Sequence, residues 1–212
     1  MHVGNDVVDL GDPGNGPDAI HPGFDARVFT LEERAYLATA VCMHRARWSL
    51  WAAKEAAFKV ARKLDSDAWL SPREYVVRMV DGVRAEVEHR MGRFQVWLEH
   101  ADEWVHAVAV PWESDSDRPP CDVTTVDATP WDSRGTRPGV RVRELARTAL
   151  SAHFGIAPTD VKIVSEDRIP RARGEGSDAT LADLSLSHDG RFAACAWIPR
   201  APNAKSPAPG RR

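Results

Sequence analysis

Three groups of residues in this chain carry side chains suited to chemistry. Asp6 lies in Val3-Gly4-Asn5-Asp6-Val7-Val8-Asp9-Leu10, which reads as a short strand bearing two carboxylates. Glu55 and Lys59 are an i,i+4 pair with the acid first, the order that supports a helix. Two carboxylates brought together by a strand and a helix suit Mg2+, which takes oxygen ligands and completes its shell with water and substrate phosphate. The same residues also read as a strand-end Asp and a surface Glu–Lys pair. Ser185-Leu186-Ser187-His188-Asp189-Gly190-Arg191 reads as a turn with two hydroxyls before a histidine. The N–H groups of a turn and an imidazole could hold a phosphate oxygen. The plain alternative is a polar turn between two buried strands. Arg168, Arg171 and Arg173 offer guanidinium groups for phosphates, or simply a solvated basic loop. Arg143 and Arg147, one turn apart, read as a solvated helix face.

The elements that must position these groups follow from periodicity. Trp48 to Leu64 is rich in alanine and free of Gly and Pro, so it reads as a helix. Leu50, Ala53, Ala57, Val60 and Leu64 recur at spacings of three and four and make its apolar stripe. Glu55 and Lys59 fall on the opposite face, flanked by Trp51 and Phe58. A helix back furnished with aromatics beside charges is expected to meet a second layer of protein. Thr30 with Glu33 has the form of a capping box, which predicts a helix from Leu31 through Ala40. Gly11 to Gly23 is a Gly-, Pro- and Asp-rich loop. After Leu64 the period becomes alternating, and 75–80, 84–89, 94–99 and 104–110 read as an antiparallel meander turning at Asp81-Gly82 and Met91-Gly92. Residues 113–120 form a polar linker. Beyond it come a strand at 122–126, a second amphipathic helix from Val140 to Phe154 ended by Gly155 and a strand at 161–164. A basic loop at 168–178 follows, then a strand–turn–strand or strand–turn–helix element from Leu184 to Ile198 around His188-Asp189-Gly190. Trp104 to Pro111 aligns without gaps on Phe192 to Pro199, which supports two related halves.

At 212 residues the chain can bury one sizeable core or two small ones. The net charge of −3 argues against a nucleic-acid binder. No apolar run approaches the roughly 20 residues of a membrane span, and no signal peptide precedes Gly4, so a cytoplasmic protein with no membrane partner is expected. Cys42, Cys121 and Cys195 are scattered and have no metal-ligand spacing, as for reduced structural thiols. The eight tryptophans are expected to lie mostly in the core. No P-loop, nucleophile elbow or dinucleotide fingerprint is present.

Three stretches together resemble the 4′-phosphopantetheinyl transferase superfamily. Gly4-Asn5-Asp6 matches its Gly-x-Asp strand, Trp51-Ala52-Ala53-Lys54-Glu55-Ala56-Ala57-Phe58-Lys59 its Trp-x-x-Lys-Glu-Ala-x-x-Lys helix, and Ser185 to Gly190 its Ser-x-Ser-His element. The resemblance implies an α+β fold of two similar lobes, each an antiparallel sheet packed on a long helix. The lobes are expected at 1–112 and 121–199, joined by a linker at 113–120 and followed by a disordered tail at 200–212. The motif order is that of the short, trimeric holo-acyl-carrier-protein synthases. The length and second half resemble the two-lobed enzymes that activate peptide synthetases, in which the Ser-His lobe comes first. A monomer with its lobes circularly permuted is therefore expected, with Ile198 close to Val3.

The family's reaction moves the 4′-phosphopantetheine of coenzyme A to a serine of an acyl or peptidyl carrier protein and releases 3′,5′-ADP. The resemblance implies that Asp6 and Glu55 bind Mg2+ and that Glu55 and Lys59 are catalytic. It assigns Lys54, Lys59, Arg168, Arg171, Arg173, Ser187 and His188 to coenzyme A. Val8 stands where many two-lobed relatives have a third acid, so water is expected to fill that position. The loop Ile169-Pro170-Arg171-Ala172-Arg173-Gly174 replaces their usual Gly-Lys-Pro. The rival possibility is a non-catalytic coenzyme A- or nucleotide-binding paralogue.

Overall fold

The alternating segments pair into two sheets of the same design. The computed structural model describes residues 1–112, 117–125, 138–174 and 180–200. Gly4–Asp9 (β1), Val76–Met79 (β2), Arg84–His89 (β3), Gly92–His100 (β4) and Trp104–Pro111 (β5) form an antiparallel sheet in the order β1-β5-β4-β3-β2. Cys121–Thr125 (β6), Val161–Glu166 (β7), Ile169–Gly174 (β8), Thr180–Asp189 (β9) and Phe192–Pro199 (β10) form the second, in the order β6-β10-β9-β8-β7. The two aligned sequence segments are thus β5 and β10, which occupy equivalent places. The fold is α+β, with Met43–Leu64 (α3) on the first sheet and Pro138–Phe154 (α4) on the second. Phe24–Val28 (α1) and Leu31–Thr39 (α2) precede α3.

Helix α3 starts five residues before the expected Trp48, because 43–47 contains no helix breaker. Leu50, Ala53, Ala57 and Val60 are buried as the stripe predicts, whereas Leu64, at the helix end, is 50% exposed. Alanines at 52, 53, 56 and 57 let the helix lie close on β1. Gly4 completes that approach: a Cβ there would stand 2.0 Å from the Ala56 carbonyl oxygen. The capping box of α2 is present, with Thr30 Oγ1 accepting from Glu33 N–H and Glu33 Oε2 accepting from Thr30 N–H.

Two expectations are corrected. Residues 169–174 are strand β8 rather than loop, paired with β7 through a two-residue turn. Asp167 and Arg168 both have positive φ (49° and 64°) in that turn, as a tight right-twisted hairpin demands. Pro170 is tolerated because it lies beyond the last rung between β8 and β9. Among the described tryptophans Trp48 and Trp197 are buried, but Trp69 and Trp112 are 74% and 42% exposed; an indole is too large to be covered wherever it falls. Parts of the expected linker (113–116), the end of the strand at 126, residues 175–179 of the basic loop and the tail from 201 lie outside the described residues.

The two sheets meet along β1. Its inner neighbour is β5, so alternate N–H groups point away from its own sheet. Those of Val3, Asn5, Val7 and Asp9 donate to Asp183 Oδ1 (3.0 Å), Ser185 Oγ (2.9 Å), Ser187 Oγ (3.2 Å) and Asp189 Oδ2 (2.9 Å). On the same edge the Val3, Asn5 and Asp9 carbonyls accept from Lys63 Nζ (2.7 Å), Lys59 Nζ (2.7 Å) and Asn15 Nδ2 (2.9 Å). Small apolar clusters seal the junction: Val3, Val108, Val110 and Ala196, with Ile198 packed against them, and Val7 with Phe192 and Ala194.

Gly4→Ala should lower stability by about 3 kcal/mol, since the methyl group meets backbone rather than a yielding side chain. A reduced denaturation midpoint at unchanged m-value checks this; wild-type stability would mean that α3 is not seated on β1 as described.

Candidate active site

Asp6 sits in the middle of β1, on the strand that joins the two sheets. Its Oδ1 accepts from Lys59 Nζ of α3 at 2.9 Å and from Ser187 Oγ of β9 at 2.7 Å. Ser187 therefore does two things, accepting from the Val7 N–H and donating to Asp6. Glu55, one helical turn before Lys59, is half-buried and makes no hydrogen bond or ion pair among the described residues. Burial first, then the Asp6 charge, push its carboxyl up to about 7, against the opposing pull of Lys59. His188 is solvent-accessible at the end of β9. The surrounding protein and then Lys59 hold its imidazole below the ordinary value, against Asp189 and Asp6, so it is neutral at pH 7. Asp6, Glu55, Lys59, Ser187 and His188 are thus brought to one place from three elements and both sheets.

Lys54 does not join them, which corrects its expected role toward coenzyme A. Its Nζ is fully buried on another face of α3 and donates to Glu33 Oε1 (2.7 Å), Pro72 O (3.0 Å) and Tyr75 O (2.6 Å). Glu33 Oε1 also accepts from Val77 N–H (2.7 Å). The pair ties α2, α3 and the start of the meander together. Burial holds the Lys54 ammonium below its usual range despite Glu33.

The arginines divide. Arg168 stands at the tip of the β7–β8 turn. Arg171 and Arg173 lie on β8 and share Glu166 as a partner, at 3.7 Å for Arg171. Arg171 is the cross-strand neighbour of Asp183, and its charge acts on Lys63, so it faces the junction. Arg143 and Arg147 bind Gly139 O, Ser165 Oγ and Val161 O, within their own half. Val8 is buried in the apolar core and offers no ligand. Asp9 is taken up structurally: although buried, it is held below the usual carboxylate range by Arg191, which grips both its oxygens.

Sequence reasoning missed Asp183 and Lys63 of the contact edge, and read Ser185 and Asp189 as part of a turn rather than of strand β9. A signal was available, since Asp183-x-Ser185-x-Ser187-x-Asp189 puts four acceptors on one face of a strand.

Fold and site together define a two-lobed α+β protein with acids, a lysine and the Ser-His end of β9 gathered where the lobes meet. The profile of the 4′-phosphopantetheinyl transferase superfamily matches residues 2–109, just over half of the 212 residues, and the chain belongs to that superfamily. Its members act on carrier proteins with coenzyme A, typically with a divalent metal. The match covers Asp6 and α3, while the Ser-His turn lies beyond it. No curated protein matches significantly. Among the described residues no helix is long and apolar enough to cross a membrane.

Two outcomes test these placements. Between pH 4.5 and about 7 the folded protein holds a proton on Glu55 that the unfolded chain releases. Its stabilising effect is complete below 4.5 and lost as pH rises through 7. Without divalent cations at about pH 8, Glu55→Gln should therefore be more stable than wild type by roughly 1–3 kcal/mol, the gap closing in acid. Lys54→Ala should cost about 3–5 kcal/mol by stranding Glu33, seen as a lower denaturation midpoint.

Proposed function

We propose that the protein transfers the 4′-phosphopantetheine group of coenzyme A to the serine hydroxyl of an acyl or peptidyl carrier protein, releasing 3′,5′-ADP in an Mg2+-dependent reaction of the holo-acyl-carrier-protein synthase type. The observation that carries this is Glu55: a half-buried carboxyl without a partner among the described residues, raised by burial first and then by its neighbour Asp6. Two carboxylates left repelling each other fit a divalent cation, which would reverse that repulsion. Both protein bonds to Asp6 fall on Oδ1, so Oδ2 and a Glu55 oxygen are the natural ligands. When bound, Mg2+ neutralises charge on the pyrophosphate.

The protein's own groups account for the rest. Lys59, anchored by the Asn5 carbonyl and Asp6, presents its ammonium to a pyrophosphate oxygen. Neutral His188 donates a ring N–H to another phosphate, and Ser187 holds Asp6 in place. Glu55, beside the place the pyrophosphate would take, accepts the proton of the carrier serine. The serine oxygen forms a bond to the phosphorus bearing pantetheine, and the bond to the leaving 3′,5′-ADP breaks. Arg171, with Arg168 and Arg173 farther along the β7–β8 hairpin, serves the 3′-phosphate end.

The lobes are 1–112 and 121–199, joined at 113–120, in the reverse of the order in two-lobed relatives. The packing of Ile198 against the Val3 cluster supports a circular permutation, because joining those ends needs little chain. With both lobes in one chain the enzyme works as a cytoplasmic monomer.

Incubation with apo carrier protein, coenzyme A and Mg2+ should add one phosphopantetheine to the carrier mass. Chelation of the metal should stop the reaction, and Glu55→Gln should slow it about 100-fold or more with the fold retained. Coenzyme A binding without any change in carrier mass would make the protein a non-catalytic paralogue.

A further inference from the structure

A second group of metal-binding side chains, none shared with the acid pair, lies across the lobe junction. An oxygen of Glu99 on β4, an imidazole nitrogen of His106 on β5 and the sulfur of Cys121 at the start of β6 all lie within 4.8 Å of one another. Sequence spacing hides this trio. Pairing of β4 with β5 sets Glu99 directly opposite His106, and the second sheet delivers the thiol. We infer that Glu99, His106 and Cys121 form a zinc-class metal site that staples the two lobes together.

The donor set decides the class of ion. Imidazole, thiolate and carboxylate together suit Zn2+ and its tetrahedral relatives and are foreign to Mg2+. Bonds of about 2.0–2.3 Å place tetrahedral ligands roughly 3.3–3.7 Å apart, so closing the site takes about 1 Å of side-chain movement. His106 is wholly buried and its Nδ1 has no hydrogen-bond partner. A neutral imidazole has one ring lone pair to offer a metal. The other nitrogen, Nε2, lies 3.1 Å from the Asn5 amide nitrogen; metal binding through Nδ1 needs that amide turned over, so that its oxygen, which has no partner among the described residues, accepts from Nε2–H and orients the ring.

Without metal the cation here is Arg118. Its Nη2 donates to Glu99 Oε2 (2.5 Å) and Cys121 Sγ (3.1 Å). That guanidinium belongs to the short exposed stretch before β6 and can swing out, so the ion replaces one positive group by another. Loading also releases the Cys121 thiol proton, leaving a thiolate on the metal.

The test uses the whole chain, stripped with a chelator and titrated with Co2+ and then Zn2+. Co2+ should produce a near-ultraviolet thiolate-to-cobalt charge-transfer band saturating at one equivalent, and Zn2+ should displace it and raise Tm. Cys121→Ser should abolish the band, while Cys42→Ser should leave it intact. Glu55→Gln should also leave it intact, which separates this site from the acid pair. The exposed Glu99 can be changed without touching the core, so Glu99→Gln should weaken binding about tenfold or more even if the cysteine variant folds poorly. Arg118→Ala should tighten it. Absence of the band in wild type, or its survival in Cys121→Ser, would overturn the proposal.

Discussion

A strand at the edge of a sheet cannot be buried unless its outward N–H groups find acceptors. β1 is such a strand, covered by α3 on one face and by the second sheet on the other. A neighbouring strand would ordinarily supply backbone carbonyls. Here β9 supplies side-chain oxygens instead, at every second residue, and each pair is separated by 180 positions: 3 with 183, 5 with 185, 7 with 187, 9 with 189. The constant offset means that the two strands run in the same direction with matched rise. A slip of two residues would strand at least one buried donor, at about 1–3 kcal/mol each, so the register is specified without fusing the two sheets into one.

The site inherits its geometry from that register. Ser187 is opposite Val7, and so its hydroxyl proton reaches Asp6; His188 follows, exposed near the end of β9. Lys59 and Lys63, one turn apart on α3, cap carbonyls on the same edge, so the helix that carries Glu55 is indexed to β1 as well. Gly4 permits the close approach that those lysines need. Structure and chemistry overlap most at Lys59 and Ser187, which complete the edge and also hold Asp6. Glu55 is the exception, with burial and a nearby like charge in place of a partner. Such unrelieved local repulsion is where ligand binding has something to gain.

Much of this was legible in the residues. The alanine-rich stripe of α3, the alternation of β2 to β5, the Thr30–Glu33 box and the repeat between β5 and β10 are local patterns, and each appears as an element. What stayed hidden depends on distant partners. Lys54 is adjacent to Glu55 in sequence, yet the turn of the helix sends it into the core toward Glu33, which the sequence had marked only as a cap. β8 carries Pro170 and two arginines, poor strand formers, and is a strand because β7 and β9 flank it. The trio Glu99, His106 and Cys121 is assembled only by sheet pairing and lobe packing. The four acceptors on β9 were visible as a spacing, but nothing local indicated a strand edge for them to meet.

Amide hydrogen exchange at Asn5 and Val7, compared between wild type and a Ser185→Ala/Ser187→Ala variant, tests the edge contact most directly. If the side chains of β9 close the edge of β1, both amides are protected as strongly as those of the central strands in the wild type. In the variant they lose that protection, while the amides of β3 and β4 keep theirs. Rapid exchange of Asn5 and Val7 in the wild type, or protection unaffected by removing both hydroxyls, would contradict the account.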